Sequence, residues 1–130
     1  MRLLKNLFLL VFFLSMGILV ANSNENPKEH KNIMYLLNEI KNCSCKFERN
    51  GDSHTAQEAY KHLKRKYDYA RKPFIYWQKK TITTKDFIEK IASSSSTTGR
   101  PYFIIIKKEK IKMLDWLNKT YAEYLKTLKK

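Results

Sequence analysis

Apolar residues along this chain change their spacing from block to block, and each spacing predicts a different element. Leu7 to Ala21 is an apolar run broken by Ser15, preceded by Arg2 and Lys5 and followed by the polar stretch NSNENPKEHKN. That succession is the pattern of a secretory signal peptide over residues 1–23. Ala21 and Ser23 are the small residues that a cut after Ser23 requires, and a cut after Ala21 is the alternative. The run falls short of the ~20 apolar residues of a spanning helix. Residues 24–31 read as a polar linker and residues 32–130 as one globular domain.

Ile33, Leu36, Leu37 and Ile40 recur at helical spacing and predict a first helix over residues 30–42. Cys45 to Arg49 then alternates as a strand with Cys45, Phe47 and Arg49 on one face, and Asn50-Gly51 is the strongest short signal for a hairpin turn. The return arm has to be short, because Thr55 and Glu58 form a capping box that starts a second helix. Ala56, Ala59, Tyr60, Leu63, Tyr67 and Ala70 make its apolar face, with Glu58, His62 and Lys66 along the shoulder and Pro73 beyond its end. Thr83 and Asp86 start a third, short helix in the same manner, with Phe87, Ile88 and Ile91 inward. SSSSTTG, residues 93–99, is a turn-rich loop, and Tyr102 to Ile106 is a β-branched strand expected to pair with the first. Residues 109–128 read as a last helix whose inward face is Met113, Leu114, Leu117, Tyr121, Leu125 and Leu128, with Trp116 and Tyr124 alongside. The predicted class is α+β: about four helices packed on a small, mostly antiparallel sheet.

Charge narrows the partners. The chain carries 26 Lys and Arg against 12 Asp and Glu. Residues 1–23 hold Arg2 and Lys5 and no carboxylate, so the remainder keeps a net charge of +12. Such an excess favours anionic lipid surfaces, polyanionic glycans, nucleic acid or acidic proteins. A Lys-rich composition also follows from an AT-rich genome, so charge by itself assigns no partner. No nucleic-acid module is present, no cofactor-binding pattern stands out, and an exported protein meets nucleic acid only incidentally.

Cys43 and Cys45 are the only cysteines. In an extended strand residues i and i+2 lie nearly 7 Å apart, about the upper limit for a disulfide, so a bond between them needs a local kink. A reducible intramolecular bond, intermolecular bonds and two free thiols all remain open. Cys43, Cys45, His54 and His62 can be drawn as a metal set, but their spacing fits no standard zinc pattern, and no metal is expected.

Other chemistry is sparse. His62 with Glu58 one turn earlier is a candidate acid/base pair, and Ser93 to Ser96 could supply a nucleophile, giving a small hydrolase or transferase as one alternative. No G-x-S-x-G elbow supports it. Phe74, Tyr76 and Trp77, bracketed by Arg71-Lys72 and Lys79-Lys80 within segment 71–80, suit peripheral contact with a membrane surface as an alternative to the commoner use of such residues, a short strand or turn covering the core. The hairpin turn, the Thr55 cap and Arg49 or Arg100 could hold an anion, although turn and cap have sufficient structural reasons of their own.

"FERNG", "TAQEAYKHLKRKY" and "TTKDFIEKIASSSSTTGRPY" resemble the YfeK-like family of small exported bacterial proteins, whose biochemical function is uncharacterised. The likeness runs from Ile33 to Tyr102, with a weaker echo in "DWL" of the last helix. It rests on Cys45, Phe47, Arg49, Asn50 and Gly51; on Glu58, Ala59, His62, Leu63 and Lys66; on Asp86, Phe87 and Ile88; and on Ser93, Ser95, Ser96, Gly99, Pro101 and Tyr102. The aromatic segment 73–80 and the extra Cys43 depart from it. The resemblance implies export to a bacterial envelope, in the periplasm or beyond it, and supplies no activity. It also raises the expectation that Arg49, His62 and the serine loop meet at one end of the sheet. The leading expectation is a noncatalytic binding module for a protein or an anionic envelope component. Its surface would be built from Arg49, Asn50, His62, Lys66, Ser95, Gly99, Arg100 and Tyr102.

Overall fold

The first helix starts earlier than its apolar spacing suggests, because Asn26 and Pro27 supply a stronger start signal than the first buried residue does. The computed structural model describes residues 25–72 and 81–130. The N-terminal run read as a signal peptide, and Phe74, Tyr76 and Trp77, lie outside them. Helix α1 spans Pro27–Asn42, with the Asn26 side chain accepting from the Lys28 N–H at 3.0 Å and Pro27 in the first turn. The stretch read as a linker is therefore helical from Pro27. Ile33, Leu36, Leu37 and Ile40 are fully buried and form the centre of the core.

Strand β1, Lys46–Arg49, and strand β2, Asp52–Thr55, form the expected hairpin, with Asn50 at φ 52° and Gly51 at φ 89°. Both values belong to the left-handed region that the turn demands. The capping box follows at once: Thr55 accepts from the Glu58 N–H, and Glu58 accepts from the Thr55 N–H at 2.8 Å. Helix α2, Ala56–Ala70, then buries Ala59, Leu63 and Tyr67, while Ala70 is exposed.

Helix α3, Thr84–Asp86, has its Thr83–Asp86 box and a second cap from α1, since Glu29 accepts from both the N–H and the hydroxyl of Thr84 at 2.6 Å. The predicted third helix does not continue as α. Phe87–Ile91 winds as a π-turn in which the Ala92 N–H reaches the Phe87 carbonyl, and the wider turn places Phe87, Ile88, Ile91 and Ala92 all against the core.

Strand β3, Phe103–Ile106, pairs antiparallel with β1 as expected, placing Ile104 opposite Phe47. The expected helix over 109–128 is a strand followed by a helix: β4, Glu109–Lys112, pairs with β3, and helix α4 spans Met113–Thr127. The hairpin turn that makes this possible is Lys107-Lys108, at φ 48° and 71°, with none of the Asn or Gly that ordinarily marks such a turn. Burial on α4 falls to Met113, Leu117 and Tyr124; Leu125 is half-buried and Leu128 is exposed.

The result is an antiparallel sheet in the order β2-β1-β3-β4, with helices on one face. Phe47 and Ile104 point into the core, while Glu48 and Lys110 pair at 2.7 Å on the opposite face. Cys43 and Cys45 form a disulfide: the chain bends as it leaves α1, bringing their Cα atoms to 5.2 Å rather than the nearly 7 Å of extended backbone. The two sulfurs are therefore unavailable for the metal set. Among the described residues, no helix is long and apolar enough to cross a membrane.

Lys108 occupies a left-handed conformation that costs an L-residue roughly 1 kcal/mol or more and costs glycine little. Lys108→Gly is expected to raise unfolding free energy by about 0.5 kcal/mol in urea titration, after allowance for the greater freedom of glycine in the unfolded chain. An unchanged or lower midpoint would show that this turn is not a source of strain.

Candidate functional site

Arg49 ends β1 two residues after the buried Phe47, so the pleat puts both on the helix-facing side of the sheet. At that end of the sheet it meets α2, whose shoulder carries His62 and Lys66 one turn apart. Arg49 Nη1 lies 3.2 Å from His62 Nδ1 and 3.3 Å from Nε2, and His62 Nε2 lies 3.2 Å from the Tyr102 hydroxyl. A guanidinium has no lone pair to offer, so this contact requires a neutral imidazole accepting from Arg49. Lys66 donates to the Ser94 carbonyl at 2.8 Å and lies over the Tyr102 ring, 5.1 Å from its centroid.

The serine loop is tied down by its own backbone and by the hairpin. The Gly99 N–H donates to the Ser95 carbonyl, Ser95 N–H to the Arg100 carbonyl, and Tyr102 N–H to the Ser93 carbonyl. Gly99 sits at φ 71°, which suits glycine. The Thr98 hydroxyl donates to Asn50 Oδ1 at 2.9 Å, so the turn that shapes the hairpin also holds the loop. Ser93 donates to the Glu89 carbonyl, and Ser95 is buried and accepts from the Thr98 N–H. Of the binding residues expected from sequence, Arg49, His62, Lys66 and Tyr102 form one cluster. Asn50, Ser95 and Gly99 frame it, and Arg100 is exposed with no ion pair among the described residues.

The acid/base pair is not assembled. Glu58 is committed to the α2 cap through the N–H and hydroxyl of Thr55, and that contact holds its carboxyl below the ordinary range. His62 faces Arg49 and Tyr102 instead, and no loop serine bonds to it among the described contacts. Among the described residues, no three metal-ligating side chains converge.

Arg49 and Lys66 bring two positive charges together here with no carboxylate ion-paired to either. All 12 carboxylate side chains of the chain fall within the described residues, yet none pairs with Arg49 or Lys66. Burial, then the charges of Arg49, Lys66, Arg65 and His54, push His62 down to about 4. Burial and Arg49 push Lys66 down to about 8. Burial raises the Tyr102 phenol, outweighing the pull of Arg49 and of hydrogen bonds from Ser95 and Arg49. The cluster lines a cavity of about 790 Å³ whose apolar wall includes Phe47, Leu63, Ile91 and Met113. His54 lines it too, and its Nε2 is buried without a hydrogen-bond partner. The sequence gives no signal for that role, since His54 lies on the short return arm of the hairpin.

His62 binds fewer protons folded, at about 4, than unfolded, near its ordinary 6.5. The unfolded chain therefore binds more protons between those values, and this stabilising contribution, full above pH 6.5, is lost as pH falls toward 4. Urea midpoints taken across that window are expected to fall more steeply for wild type than for His62→Gln, which has no proton to gain. Equal slopes would remove His62 from the acid sensitivity of the fold.

The chain is 39% identical over 85 residues to the uncharacterized protein YfeK of Salmonella typhimurium strain LT2, a stretch covering 65% of this chain and 65% of that protein. It thus spans just under two thirds of that relative's length. No solved structure matches it. The profile of family DUF5329, a family of unknown function, matches residues 27–125, from the first residue of α1 to near the end of α4. The segments that carry the YfeK-like resemblance all lie inside that match, and the chain belongs to the DUF5329 family.

Proposed function

We propose that this protein is a noncatalytic binding module of the bacterial envelope that grips an anionic group between Arg49 and Lys66. The observation that carries the reading is a pair of half-buried cations, Arg49 against a neutral His62 and Lys66 against the Ser94 carbonyl and Tyr102, neither of them ion-paired to a carboxylate. Burying unbalanced charge is costly, and an anion entering the cavity would repay that cost through charge-assisted hydrogen bonds. The lowered Lys66 ammonium supports this, because its depression reflects burial and repulsion that a bound anion would offset. Tyr102 would position Lys66, and the loop framed by Ser95 and Gly99 would keep the wall in place. Export rests on the signal-peptide pattern of residues 1–23, and the net +12 of the remainder would steer anionic partners toward the molecule.

Calorimetric titration with inorganic phosphate at low ionic strength tests the site. Hydrogen bonds to charged groups contribute about 1.5–3 kcal/mol, so Arg49→Ala and Lys66→Ala should each weaken binding about tenfold or more. Lys119→Ala, exposed on α4 and outside the cavity, should leave affinity unchanged. Affinity should fall as pH rises through about 8, where Lys66 loses its proton. Absence of binding, or equal affinity in all variants, would refute the proposal.

A further inference from the structure

The other end of β1 holds a second chemical feature that the anion site does not use. Cys43 and Cys45 are bonded to each other across the single residue Ser44. A disulfide stabilises a fold chiefly by restricting the unfolded chain, and that effect grows with the number of residues enclosed. This one encloses a single residue, so it contributes little as a staple. The elements on either side are held by other means: α1 by four fully buried apolar residues, and β1 by ladders to β2 and β3.

Its surroundings suit exchange chemistry. Both cysteines are half-exposed and line an open cavity of about 700 Å³ together with Lys41, Lys46 and Lys108. No carboxylate lines that cavity. Nearby ammonium groups favour a thiolate over a thiol. The two sulfurs are not equivalent. Cys43 follows the last residue of α1, where the carbonyl end of the helix disfavours negative charge, whereas Cys45 adjoins Lys46 at the start of β1. Cys45 is therefore the better leaving group.

We propose that Cys43–Cys45 is a redox-exchangeable disulfide whose substrate is an accessible dithiol on another polypeptide. A substrate thiolate attacks the Cys43 sulfur, the bond between Cys43 and Cys45 breaks, and Cys45 departs as a thiolate that takes up a proton. The second substrate thiolate then attacks the first substrate sulfur in the mixed disulfide, whose bond to Cys43 breaks and releases Cys43 as a thiolate, which is protonated in turn. Two electrons and two protons pass from the substrate dithiol to this chain, and the substrate becomes a disulfide. Export would place the couple in a compartment where such exchange takes place.

The test equilibrates the full chain in glutathione buffers running from largely oxidised to fully reduced, then counts alkylated cysteines by intact mass. The expected result is a passage from none to two labelled cysteines within the series. Reduced protein, and a Cys43→Ser/Cys45→Ser double variant, should melt within a few degrees of the oxidised chain. Cysteines that stay unlabelled in fully reduced glutathione, or that label in the most oxidised buffer, would overturn the proposal. So would a large drop in melting temperature on reduction, which would make the bond a structural staple.

Discussion

The contact between Arg49 and His62 is the constraint around which one end of this molecule is arranged. A guanidinium can donate only, so an imidazole 3.2 Å away must accept, and an accepting imidazole is neutral. That requirement fixes the charge state of His62, orients its other nitrogen toward Tyr102, and leaves Arg49 with its charge uncancelled. Three elements have to meet for it to form. The Asn50-Gly51 turn ends β1 at Arg49, the Thr55–Glu58 box sets the phase of α2, and the loop from Ser93 returns the chain at Tyr102.

The same geometry explains how the cluster survives without a carboxylate. Lys66 is held by a carbonyl and an aromatic face, which are weaker partners for an ammonium than a carboxylate but leave its charge intact. The carboxylates that line the cavity are occupied elsewhere: Glu48 pairs with Lys110 across the sheet, and Glu58 caps α2. Each acid has a local partner of its own, and neither is ion-paired to Arg49 or Lys66.

Much of this was legible in the sequence where one residue type has one efficient use. Asn50-Gly51 and the two Thr-to-acid boxes located the hairpin and two helix starts, and the spacing of Ile33, Leu36, Leu37 and Ile40 identified the buried face of α1. The failures share a cause as well. Glu58 has two uses, and its cap competes with a pairing to His62 that spacing alone permits equally. Lys107 and Lys108 make a tight turn without turn residues, so β4 looked like the first turn of α4. The π-turn at Phe87 follows from packing against the core rather than from local preference. The contact of the hairpin turn with the serine loop, made by Asn50 and Thr98, had no signal in the spacing of residues, because no periodicity reports a contact between residues about fifty positions apart.

The central claim is that a neutral His62 accepts from Arg49 at the wall of a cavity where, in the proposed reading, Arg49 and Lys66 bind an anion. Its most direct test is an NMR titration of the His62 imidazole, read with and without inorganic phosphate. The account predicts an imidazole that stays neutral well below its ordinary 6.5, titrating near 4 in the free protein and at higher pH once phosphate is bound. An imidazole that titrates at its ordinary value, unmoved by phosphate, would contradict it.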